Sequence, residues 1–204
     1  MTQLTTLDIP WGALIDEDDW SKGKYYPLHK YQKTIFNANN RFIAAVAGTG
    51  GGKTVVGSLW SVRKIQEAIQ KYGKCLGFIV APTYKVLSRA TAPTFIDAVK
   101  YTSLGPEAGG RYLESKSYYE LPNGWGKVWL QGADNPGGLE GGQFDFVWAD
   151  EGGQLQKKAF HAIQGRTGQK ESSILVTTTP YLGKDGFGPL HKEWWPRFKS
   201  GDND

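Results

Sequence analysis

Four residues in this chain carry groups suited to the chemistry of a nucleoside triphosphate: Lys53, Thr54, Asp150 and Glu151. The first two close the run "AGTGGGKT", in which Ala47, Gly48, Thr49, Gly50, Gly51 and Gly52 lead into the lysine. A loop this poor in side chains lets successive backbone N–H groups turn inward around phosphate oxygens. A following helix adds its N-terminal dipole and free N–H groups. Lys53 would bring a point charge to the β- and γ-phosphates, and the Thr54 hydroxyl is a ligand for Mg²⁺. The run fits G-x-x-x-x-G-K-[ST] with Ala47 in place of the first glycine. At a strand end a small residue is the only strong need there, so the change does little harm.

Asp150 and Glu151 end "FDFVWADEGG", an apolar run with a carboxylate pair at its tip. An Asp at the end of a buried strand beside a phosphate loop binds Mg²⁺, mainly through water. The adjacent Glu can orient or deprotonate an attacking water, which the loop itself cannot do. Either carboxylate alone could be an ordinary acidic turn; the pair, downstream of a phosphate loop, argues for hydrolysis. In "SILVTTTP" the hydroxyls of Thr177, Thr178 and Thr179 stand at a strand end where they could sense a γ-phosphate. Threonine is also a good strand former, so this run alone is equally an ordinary strand. Gln32 in "LHKYQ" has an amide that can read a donor and an acceptor on adenine.

The elements that must position these groups alternate. Strand-like runs occupy 41–47, 75–81, 127–131, 144–149 and 173–178, and several are apolar almost throughout, as strands buried on both faces of a parallel sheet are. Helical patterns at 53–71, about 84–100 and 154–164 separate most of them, and "PLHKYQKTIFNANN" reads as a short helix ahead of the first strand. The rhythm is βαβ and the class α/β. "RYLESKSYYELPNGWGKVWL" alternates around a turn and reads as a hairpin added antiparallel to the sheet.

The 204 residues suffice for one domain with a substantial core. Apolar residues make up 39% and charged residues 22%, a globular and not a disordered composition. A net charge of +4 with scattered lysines permits nucleic-acid contact without requiring it. One cysteine, Cys75, excludes an internal disulfide or a cysteine metal cluster. With no long apolar run and an acidic start, "DIPWGALIDEDDW", the chain is expected to be soluble and intracellular.

Taken in order, "YPLHKYQ", "AGTGGGKT", "VAPTYKVLSRA", "NPGGLEGGQFDFVWADEGG" and "VTTTP" resemble the ATPase motor domain of the large terminase subunit of tailed bacteriophages. The resemblance covers about residues 25 to 185. It implies an additional-strand, RecA-like phosphate-loop ATPase core over 27–185, with a mainly parallel central sheet flanked by helices. A lead-in at 1–26 precedes the core, and a tail at 186–204 would begin a lid that is truncated or missing. It further implies ATP as substrate, Mg²⁺ as cofactor, and hydrolysis that drives double-stranded viral DNA into a capsid. The implied partners are that DNA, a portal protein and a small terminase subunit. The implied setting is the host cell cytoplasm at the procapsid portal, with the chain in a homo-oligomeric ring when assembled and a monomer allowed when alone. By matching position, Lys53 and Thr54 hold phosphate and metal, Asp150 holds metal, Glu151 is the catalytic carboxylate, Thr177–Thr179 couple, and Gln32 contacts adenine.

The chain departs from the family pattern in three places. Its phosphate loop has no arginine, and "GGLEGGQ" puts Glu140 where relatives often offer a basic residue to a neighbouring subunit. A finger for the γ-phosphate must then come from elsewhere, with Arg166 and Arg89 the candidates. The chain also reaches Asp204 without the carboxylate cluster of a nuclease, so DNA cleavage by it is not expected. Two further readings fit the motifs: the first motor lobe of a helicase, or a non-hydrolysing nucleotide-binding adaptor of a packaging complex.

Overall fold

A computed structural model describes residues 28–100, 102–134, 142–168 and 172–180. The expected lead-in at 1–26, the tail at 186–204 and Glu140 lie outside the described residues. Helix α1 (Lys30–Asn37) precedes strand β1 (Phe42–Val46) and helix α2 (Lys53–Tyr72). Strand β2 (Cys75–Ala81) leads into a broken helix made of α3 (Tyr84–Val86), a π turn (Leu87–Thr91) and α4 (Ala92–Val99). Strands β3 (Arg111–Leu113), β4 (Tyr118–Glu120) and β5 (Gly126–Gly132) follow. Strand β6 (Phe146–Asp150), helix α5 (Lys157–Gly165) and strand β7 (Ser173–Thr178) complete the set.

These strands form one mixed sheet in the order β1-β7-β6-β2-β5-β4-β3. The first five run parallel, while β4 and β3 are antiparallel additions. The expected hairpin is therefore three-stranded, β3-β4-β5, and its last strand joins the parallel part through β2.

Alternation along each strand divides the apolar residues between two layers. Phe146 and Trp148 of β6 face Trp60, Ile65 and Ile69 of α2 and Phe95 of α4. Val147 and Ala149 face the other way, onto Ala159, Phe160 and Ile163 of α5. Strands β6 and β7 are buried at every position, which is why their sequences read as continuous apolar runs with no polar face. Helices thus cover both faces, the three-layer architecture of a RecA-like fold. Among the described residues no helix is long and apolar enough to cross a membrane.

The order of strands matters more for function than the layers. The last strand, β7, sits between β1 and β6, with Val46 opposite Thr178 and Asp150 opposite Thr177. Parallel strands bring their C-terminal ends to one edge, where open α/β sheets build their sites. The glycine loop, the start of the broken helix, the Asp150–Glu151 pair and the threonine run all leave from that edge.

Candidate active site

The glycine loop leaves β1 at Ala47, whose N–H donates to the Thr178 carbonyl at 3.1 Å and ties the loop to the adjacent strand. Gly52 then takes φ +68°, and a Cβ there would lie 2.3 Å from Nε2 of Gln32. Its left-handed conformation disfavours a side chain, and one placed there would have to displace the Gln32 amide. The chain enters α2 at Lys53, so the helix N-terminus faces the loop. Lys53 is buried, its Nζ 3.0 Å from the Gly48 carbonyl and 4.0 Å from Oε1 of Glu151. A cationic amine thus spans the gap between the loop and the acidic pair.

Asp150 is 1% exposed and is held by three hydroxyls. Thr177 Oγ1 donates to Oδ1 at 2.8 Å, Thr91 Oγ1 donates to Oδ2 at 2.8 Å, and Thr54 Oγ1 lies 3.5 and 3.3 Å from the two oxygens. A second layer holds this arrangement: Trp148 Nε1 donates to Thr177 Oγ1 at 2.9 Å. Glu151 has φ 47° and ψ 40°, the left-handed region, which turns its carboxylate out of the strand. That carboxylate accepts from the N–H of Thr179 at 3.1 Å and from its hydroxyl at 3.3 Å. Thr178 Oγ1 accepts from the Gly153 N–H at 3.0 Å, so the threonine run also braces the turn after Glu151. The three threonines thus face different tasks: one the buried Asp, one the turn, one the Glu.

Hard oxygen donors without sulfur or imidazole suit Mg²⁺, which keeps several waters and needs few protein ligands. Thr54 and Asp150 adjoin as such a donor pair, and the weak hydroxyl–carboxylate contact leaves oxygen lone pairs for a cation. Burial pushes the Asp150 carboxyl above its ordinary range. Hydroxyl bonds from Thr177 and Thr91 oppose that push, the Glu151 charge adds to it, and Thr54 opposes it. A raised folded-state value favours the folded protein in acid and is lost as pH rises through that value. Where Asp150 is ionised in the folded protein its burial is therefore a cost, one that a bound cation would offset. Asp150→Asn is expected to raise the thermal midpoint of the metal-free protein at pH 7 by a few degrees, and to abolish any Mg²⁺-dependent rise. Thermal melts at pH 7 and near pH 4, with and without Mg²⁺, check this: the advantage should shrink in acid.

The structure brings Lys53, Thr54, Asp150, Glu151, Thr177 and Thr179 together. Gln32 also lies there, buried, but its amide is engaged with protein. Nε2 donates to the Gly52 carbonyl at 3.1 Å, and Oε1 accepts from the His29 N–H at 3.1 Å in the cap of α1. An adenine contact would have to share these bonds. The two arginines diverge. Arg89 lies in the π turn on the site's side of the sheet and is exposed. Arg166 caps α5, and its carbonyl accepts from the Phe144 N–H, just before β6 begins. It is therefore at the opposite edge from Asp150, and the fold does not bring it to this chain's own site. Thr91 and Trp148 escaped the sequence reading, though a proline two residues after Thr91 marked the helix break that aims it inward.

Solved structures share this fold. The large terminase of a thermophilic bacteriophage matches with a TM-score of 0.68 at 14% identity, over 86% of this chain and 44% of that one. The large terminase ATPase domain of Thermus phage P74-26 matches at 0.59 and 21% identity, over 77% of this chain and 66% of that one. The fold is that of a large-terminase ATPase domain. The chain spans less than half the length of the thermophilic phage's protein, for which complexes with ADP and with ATP-gamma-S also match. The UvsW helicase of bacteriophage T4 shares the architecture more loosely, with a TM-score of 0.51 at 16% identity over 77% of this chain and 54% of that one. No protein-family model and no curated protein matches the sequence.

Proposed function

We propose that this chain hydrolyses ATP to drive double-stranded viral DNA into a capsid. The observation that carries the hydrolytic part is the placement of Glu151. It projects from the strand end on a left-handed residue, 4.0 Å from the amine of Lys53 and one residue past the buried Asp150. A bare phosphate-binding loop needs no such carboxylate, whereas water attack on a γ-phosphate does. The loop's N–H groups and the α2 N-terminus would hold the phosphates, Lys53 would neutralise developing charge, and Glu151 would take or orient the proton of the attacking water. Mg²⁺, held by Thr54 and Asp150, would supply charge neutralisation on the phosphate oxygens. Thr179, bonded to the Glu151 carboxylate by backbone and side chain, would pass a change at that carboxylate to β7.

The translocation part rests on the fold shared with large terminases. Portal protein, small terminase subunit, a ring of copies and a cytoplasmic location at the procapsid portal belong to the same proposal. A helicase lobe is the second reading, favoured by the likeness to UvsW.

Phosphate release from ATP is measured with and without Mg²⁺, double-stranded DNA and portal. Mg²⁺-dependent turnover that rises with DNA and portal is expected. Strand separation of a duplex would favour the helicase reading, and tight nucleotide binding with no turnover under any condition would overturn hydrolysis.

A further inference from the structure

The carboxylate of Asp150 is gripped from an element that neither the phosphate loop nor the threonine run accounts for. Thr91, 0% exposed, donates to Oδ2 at 2.8 Å while Thr177 donates to Oδ1 at the same distance. One short bond on each oxygen fixes the plane of the carboxylate. Thr54, at 3.3 and 3.5 Å, is the loosely held member, and its hydroxyl is the one placed to turn toward a cation.

Local sequence explains how Thr91 reaches that position. Pro93 has no N–H and its ring crowds the carbonyl four residues back, so a regular helix cannot run through "LSRATAP". The chain answers with a wider turn at Leu87–Thr91, in which the Ala92 N–H bonds the Leu87 carbonyl. Leu87, Thr91, Phe95 and Val99 stand four apart and are all buried. In an unbroken α-helix that spacing drifts by about 40° a step away from the core. The wider turn takes up part of the drift and keeps Thr91 aimed at Asp150. Such turns inside helices recur at functional sites.

We propose that Thr91 is a positioning residue for the metal centre, resting on the nucleotide-binding reading above. Its hydroxyl holds the Asp150 carboxylate so that the lone pairs facing Thr54 are offered to the divalent cation that accompanies a bound triphosphate. Thr91 itself touches neither cation nor nucleotide.

The test is a Mg²⁺ titration of binding of a fluorescent, non-hydrolysable ATP analogue, run on the full chain as wild type, Thr91→Val and Thr91→Ser. Thr91→Val nearly keeps the shape and removes the hydroxyl. Its Mg²⁺ midpoint should rise about tenfold, the effect of losing one bond to a charged group. Its affinity for the analogue in EDTA should stay within about twofold of wild type, and Thr91→Ser should restore the midpoint. A wild-type midpoint in Thr91→Val, or equal losses with Mg²⁺ and in EDTA, overturns the proposal. Should Thr91→Val fail to fold by circular dichroism, Thr91→Ser carries the test, and a shifted midpoint there overturns it. Wild type that binds no analogue with Mg²⁺ overturns the nucleotide reading instead, a result distinct from a wild type that binds and a Thr91→Val that binds identically.

Discussion

Replacing Glu151 by alanine is expected to cut ATP turnover by about 10²- to 10⁴-fold, the usual contribution of a positioned general base, and to leave nucleotide affinity nearly unchanged. The two effects separate because the cradle does not depend on this carboxylate. Lys53 remains bonded to the Gly48 carbonyl, Gln32 to Gly52, and Asp150 to three hydroxyls. The backbone adds a second signature. At φ 47° an L-residue carries about 1 kcal/mol or more of strain that glycine does not. Glu151→Gly should therefore lose turnover like Glu151→Ala yet melt a few degrees higher than it. Phosphate release, analogue binding and thermal melts on both variants check this. Normal hydrolysis by either one would show that the attacking water is handled by another group.

A large loss of stability is expected from adding a single methyl group on α2. In an exposed helix, glycine to alanine gains about 1 kcal/mol. At Gly57 the added Cβ would lie 2.2 Å from Cε2 of Trp148. That indole is fully buried between α2 and β6 and is anchored by its bond to Thr177, so it has nowhere to yield. Overpacking of this kind costs roughly 1–3 kcal/mol or more, which outweighs the helix gain. Gly57→Ala is thus expected to lower the thermal midpoint by about 2–4 °C for each kcal/mol lost in a domain of this size. Because Trp148, Thr177 and Asp150 form one chain of bonds, the Mg²⁺ needed for nucleotide binding should rise as well. An unchanged midpoint would mean that the sheet and α2 can separate locally at no cost.

The parallel strands were legible because burial on both faces leaves apolar runs with no polar face, as in "FVWAD" and "SILVTT". The phosphate loop was legible because few sequences put four glycines before Lys-Thr. The order of strands was not, since the pairing of β7 with both β1 and β6 is settled by packing between residues far apart in sequence. Thr91 was hidden for a related reason. Its partner Asp150 is distant along the chain, and a threonine in a helical stretch reads as an ordinary residue unless Pro93 is weighed. Gln32 and Arg166 mark where residue type alone says too little: the first has its amide bonded to protein, and the second stands at the opposite edge of the sheet from Asp150.

The position of β7 has a consequence for how the molecule comes into being. Among the described strands β1 pairs with β7 alone, and β7 is the last to be made. Until Ser173–Thr178 arrives, β1 has no neighbour among the described strands, its glycine loop has no Thr178 carbonyl to rest on, and Asp150 lacks Thr177. A sheet closed by so distant a pairing is slow to complete. Phosphate affinity should accordingly appear late in refolding, after the β2-β6 and β4-β5 pairings, because a partly folded chain lacks the assembled site.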